Sequence, residues 1–82
     1  MWYVYVIETL KGHYYTGVAR DVNKRFLQHE GKIKGGAKFF HSDKPSLLLF
    51  CKSCKDRSSA QKLESKIKSL NRKQKEVLLM SL

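Results

Sequence analysis

The sequence predicts an α+β domain, a three-stranded antiparallel sheet flanked by helices in the order ββαβαα, and three observations carry that prediction. Residues 2 to 8 are almost continuously apolar, aromatic and β-branched, as in a strand covered on both faces. A turn signal at Thr9-Leu10-Lys11-Gly12 then leads into a second strand-like run, which makes a hairpin. Beyond Ser58 the apolar residues Ala60, Leu63, Ile67 and Leu70 recur at helical spacing. With 82 residues the chain can support one core and one site, so 1–82 is read as one domain.

The first strand is expected at the centre of the sheet, because its side chains are apolar on both faces. The second runs through Tyr14-Tyr15-Thr16-Gly17-Val18 after a loop of three or four residues. If the loop is three residues, Glu8 faces Gly12 and Tyr5 stands opposite Tyr15. Period-two alternation gathers Tyr3, Tyr5, Tyr15 and Gly17 on one face. Asp21 can cap a helix reaching about Glu30, with Val22 and Phe26 inward and Arg25 and His29 four apart on one edge. Residues 31–46 hold three of the five glycines, four lysines and the only proline, and are read as a basic loop carrying Phe39 and Phe40. Leu47 to Cys51 reads as the third strand. Ser58-x-x-Gln61 is a capping box for a helix through residue 70, and Asn71-x-x-Gln74 opens a terminal helix that buries Val77, Leu78 and Leu82.

Lys and Arg number 17 against 7 Asp and Glu, a formal charge of +10. That field attracts polyanions, and the basic segments lack the Trp and Phe face of an interfacial helix, so nucleic acid is the favoured partner over a membrane. No apolar run approaches the roughly 18 to 20 residues that span a bilayer. The chain opens directly on strand-like residues where a leader would sit, and is read as cytoplasmic. Cys51 and Cys54 are the only cysteines; zinc would require two more ligands, and His13, His29 and His41 are scattered, so two thiols at a strand end are expected.

The seven acids, Glu8, Asp21, Glu30, Asp43, Asp56, Glu64 and Glu76, form no cluster in sequence, which argues against a two-metal nuclease centre. Signatures of nucleotide hydrolysis and acyl transfer are missing. One constellation remains: Tyr3-Val4-Tyr5, then Tyr15-Thr16-Gly17, then Arg25 and His29, then Ala60-x-x-x-Glu64. It resembles the GIY-YIG nuclease family, and the overall length and the tail K-S-L-N-R-K-Q-K-E-V-L-L are similar to its small stand-alone members.

The resemblance implies a metal-dependent endonuclease acting on phosphodiester bonds in DNA, of low intrinsic sequence specificity, with structure-directed repair or recombination as a setting. It implies catalytic roles for Tyr5, Tyr15, Arg25, His29 and Glu64. Arg25 would grip the scissile phosphate with its planar donor fork, and Glu64 would be the one protein ligand to a single Mg2+ or Mn2+. Tyr5 and Tyr15 would position water, with the family pointing to Tyr15 as base; His29 would orient water or bond to phosphate. Gly17 would let the backbone approach substrate. Lys24, Lys32, Lys34 and Lys38 are expected to contact nucleic acid, with Phe39 or Phe40 stacking on bases. Tyr3, Val4 and Thr16 depart from the family motifs, Val18 stands where some members carry lysine, and Glu76 where some carry asparagine. Taken singly, each residue has a plain structural role, Glu64 for instance as an ion pair with Lys68. The alternative function is a catalytically weak nucleic-acid-binding module or accessory domain, and the assembly expected is a monomer or weak dimer with a protein partner allowed.

Overall fold

The structure, a computed structural model, describes residues 1–80. The elements are β1 (Trp2–Thr9), β2 (Tyr14–Ala19), α1 (Val22–His29), a 3-10 turn (Lys38–His41), β3 (Pro45–Cys54), α2 (Arg57–Ser69) and α3 (Arg72–Met80). This is the expected α+β fold in the order ββαβαα. The sheet runs β2-β1-β3 with both pairings antiparallel, so β1 is central. Its alternating side chains seed two cores. Val4 and Val6 pack with Phe50, Ala60 and Ile67, joined by Leu63 of α2 and Leu78 and Leu79 of α3. Tyr5 and Ile7 pack on the other face with Ala19 and Phe40, against Tyr15 and the Val22 and Phe26 stripe of α1. Helices of opposite faces therefore meet only through β1 and around the sheet edges.

The hairpin register differs from the one expected. Thr9 N–H donates to His13 O at 2.9 Å, closing a loop of Leu10, Lys11 and Gly12. Tyr5 stands opposite Gly17, and Ile7 opposite Tyr15. Gly12 explains the shift: it sits at φ +85° inside the turn, a left-handed conformation suited to glycine and not to a strand position facing Glu8. Since the partner moves by two residues, the expected face is preserved.

Other boundaries are corrected too. β3 runs through Pro45–Cys54 because it follows the whole of β1, with register irregularities between Val6 and Ile7 and between Glu8 and Thr9. As an edge strand it tolerates Pro45 at its first residue. Its Cys51 pairs with Tyr5 and Cys54 with Trp2, placing the two free thiols on opposite faces. The basic loop contains the 3-10 turn, which buries Phe40 and leaves Phe39 43% exposed.

Helix α2 starts two residues earlier than its capping-box pattern implies. Asp56 Oδ1 accepts the Ser59 N–H at 2.8 Å, so Ser58 and Gln61 lie inside the first turns. The Asn71-x-x-Gln74 box forms reciprocally: Asn71 N–H donates to Gln74 Oε1 at 3.0 Å and Gln74 N–H to Asn71 Oδ1 at 2.8 Å. With that start fixed, Leu78 and Leu79 face the core, and Val77 is turned out at 62% exposure. Leu82 lies outside the described residues.

Candidate active site

Four elements send side chains into one cleft of about 220 Å3, lined by Trp2 and Tyr5 of β1, Tyr15, Gly17 and Val18 of β2, Arg25 of α1, and Arg57, Gln61 and Glu64 of α2. Because α1 covers one face of the sheet and α2 the other, a cleft lined from both opens at the β2 edge.

Asp21 sets the phase of α1 by accepting the Lys24 N–H on Oδ1 at 3.0 Å. The next turn directs Arg25 into the cleft. Arg25 Nη1 donates to Gln28 Oε1 at 3.1 Å and to Gly35 O at 3.0 Å, while Gln28 Nε2 donates to Lys34 O at 3.1 Å. These bonds tie the basic loop to α1 through one terminal nitrogen of the guanidinium; Arg25 also stands against the Tyr5 hydroxyl, and its planar fork lines the cleft, where it can serve an anion.

His29 is buried, in contrast to the exposed helix edge that its spacing suggests; the loop carrying Ala37 folds over it. Ala37 N–H donates to Nδ1 at 3.2 Å, so Nδ1 holds a lone pair and the ring proton resides on Nε2. Nε2–H then donates to the Tyr5 hydroxyl oxygen, 2.9 Å away. That leaves the phenolic proton of Tyr5 available to another acceptor. Burial, aided by the positive charge of Arg25, lowers the His29 pKa to about 4, so the ring is neutral at pH 7. Burial, then the neighbouring Tyr15, raises the Tyr5 pKa to about 12, so this phenol keeps its proton.

Gly17 serves Tyr5 directly. A Cβ at position 17 would fall 2.5 Å from Tyr5 Cζ, so the close backbone approach is made by the chain's own phenol. The Tyr15 ring lies 6.4 Å from Tyr5, 5.2 Å from His29 and 5.5 Å from the exposed Phe39, centroid to centroid. Lys24, Lys32, Lys34 and Lys38 are all exposed, and Lys32 lies 3.7 Å from Glu30.

Glu64 projects from the middle of α2 with its side chain 23% exposed, and Lys68 Nζ is 3.4 Å from Oε2. The local ion pair and a place in the cleft thus coexist. Among the described residues no three His, Cys, Asp or Glu converge as a metal cage. A lone carboxylate in a wet cleft fits a hard divalent ion such as Mg2+ or Mn2+, which keeps several waters and takes further oxygens from phosphate.

Trp2, Gln61 and Arg57 were not singled out from sequence. Arg57 and Gln61 precede Glu64 by seven and three residues, and heptad spacing backward from the glutamate is the signal that finds the arginine. Trp2 has no such signal, since strand alternation assigns it to the face opposite Tyr5.

An edge cleft that joins two phenols, an arginine and one glutamate across an α+β sheet defines a GIY-YIG-type domain. The match is explicit: the family model described as the GIY-YIG catalytic domain covers residues 1–77, and the chain belongs to that family. UPF0213 protein PC1_0597 of Pectobacterium carotovorum is 43% identical over 79 residues, spanning 95% of this chain and 77% of that protein. UPF0213 protein DP2720 of Desulfotalea psychrophila is 35% identical over 78 residues, spanning 95% and 70%. The solution NMR structure of UPF0213 protein BH0048 from Bacillus halodurans superposes with a TM-score of 0.62 at 34% identity, over 98% of this chain and 84% of that one. No helix among the described residues is long and apolar enough to cross a membrane.

Proposed function

We propose that the chain is a metal-dependent endonuclease that hydrolyses phosphodiester bonds in DNA with low sequence specificity. The observation that carries this reading is the shared cleft of Tyr5, Tyr15, Arg25 and Glu64, residues drawn from four elements and up to 59 positions apart (64 − 5). Arg25 binds the non-bridging oxygens of the scissile phosphate and stabilises the charge that builds there. Glu64 would hold a single Mg2+ or Mn2+ ion. Such an ion, when bound, withdraws charge from a phosphoryl oxygen and makes water a better nucleophile. Tyr15 serves as the general base toward the attacking water. Tyr5 keeps its own proton and donates it as a hydrogen bond, fixed in direction by His29 behind it, so His29 is a positioning residue. Lys24, Lys32, Lys34 and Lys38 contribute phosphate contacts, which hold a strand without reading its bases.

The test is cleavage of supercoiled plasmid and of labelled duplex, branched and single-stranded DNA with Mg2+ or Mn2+. Glu64→Ala and Arg25→Ala, purified identically, should each lose on the order of 100-fold or more in rate. Cutting that persists unchanged in both variants overturns the site.

A further inference from the structure

Two arginines converge on one tryptophan at the lip of the cleft. Trp2 opens β1; the pairing of Tyr3 with Ala19 brings the next residue of the partner chain segment, Arg20, beside it. Arg57 reaches the same ring from the first turn of α2. The guanidinium carbons stand 5.6 Å (Arg20) and 5.4 Å (Arg57) from the indole centroid, within cation–π range. Neither arginine belongs to an ion pair among the described residues. The acids next to them in sequence, Asp21 beside Arg20 and Asp56 beside Arg57, each cap a helix, with Oδ1 accepting the Lys24 and Ser59 N–H respectively.

Collecting like charges without an acid is unfavourable in isolation, and the aromatic ring offsets only part of that repulsion. Such an arrangement suits a surface completed by an anion. The position of Arg57 says which one. Arg57, Gln61 and Glu64 all line the cleft and lie on one stripe of α2, with Arg57 about 10 Å along the helix axis from Glu64. That separation assigns the two residues to different phosphates of one strand.

We propose that Arg57, stacked on Trp2 and supported by Arg20, binds the phosphate flanking the scissile one. The substrate strand then crosses the cleft from Arg25 and Glu64 toward the first turn of α2. The proposal rests on the nuclease reading of the same cleft and adds a recognition element to it: a polynucleotide strand with a charged neighbour phosphate, in preference to an isolated phosphodiester. Arg57 is a binding residue here, and Trp2 a positioning residue that limits the freedom of its guanidinium.

Binding of fluorescent oligonucleotides, measured by anisotropy from 50 to 300 mM salt in a Glu64→Ala background without divalent ion, tests this apart from catalysis. Arg57→Ala should flatten the slope of log K against log salt by about 0.7 to 0.9, the loss of one phosphate contact. Arg57→Lys should keep the slope and restore only part of the affinity, and Trp2→Phe should stay close to wild type. Because Trp2 also packs on the core, circular dichroism accompanies its variants, and Arg57→Ala is the deciding change. A chemical arm locates the contact: with a neutral methylphosphonate at the flanking phosphate, Arg57→Ala should cause no further loss. An unchanged salt slope in Arg57→Ala, or a full additional loss on the methylphosphonate strands of both flanks, overturns the proposal while Glu64-dependent cutting stands. Cutting that is indifferent to Glu64 instead removes the nuclease reading, whatever the slope shows.

Discussion

His29 illustrates how a residue two steps from the solvent can control a site. Its imidazole accepts from the Ala37 N–H and donates to Tyr5, and the first of these bonds needs the neutral ring, since protonation at Nδ1 removes the acceptor. The folded pKa of about 4 lies below the unfolded value of 6.5, so between these the unfolded chain binds a proton that the fold refuses. Stability from this group is fully present above pH 6.5, falls as pH drops toward 4 and is constant below. Urea titrations at pH 7 and pH 4.5 should show wild type losing up to about 2 kcal/mol more than His29→Gln. Equal losses in the two proteins would show that the ring is protonated freely in the fold. Gly17 works at the same scale: its missing side chain is space taken by the Tyr5 ring.

At the scale of elements, strand alternation and helical period made the faces legible, whereas the contacts between elements were not. Tyr3, Tyr5, Tyr15 and Gly17 share a face even though the register is displaced, because side-chain direction depends only on parity. The burial of His29 follows from a loop eight residues further on that bonds back to α1, and no local pattern encodes that closure. Two acceptable cap signals compete at the start of α2, and the carboxylate of Asp56 prevails over the Ser58 hydroxyl. The hydrogen bond from the Ser59 backbone holds the Asp56 carboxyl below the usual carboxylate range. Since this cap fixes the phase that aims Arg57 and Glu64, Asp56→Ala should cost about 1 kcal/mol and Ser58→Ala less than about 0.5 kcal/mol in thermal unfolding. A larger loss for Ser58→Ala would restore the capping-box reading.

For the whole molecule, a +10 charge is carried on a body of 28 × 28 × 19 Å, shorter than the roughly 34 Å of one duplex turn. Binding confined to so short a stretch is expected to be governed by phosphates near the cleft. Replacing Lys32, Lys34 and Lys38 together by alanine should therefore lower the salt slope of DNA binding by about 2 to 3, measured by anisotropy; an unchanged slope removes the loop from the contact surface. The two cores on either side of β1 also bear on the order in which the molecule is made. The phenols, Arg25, His29 and the turn that covers them all lie within residues 2–41, whereas Arg57 and Glu64 come from α2, translated after β3. On the proposed function, a nascent or truncated chain that ends before α2 has hands but no blade: it carries the groups that grip and orient, without the carboxylate. On that same reading, cutting waits for the docking of α2, whatever the earlier part of the chain already holds.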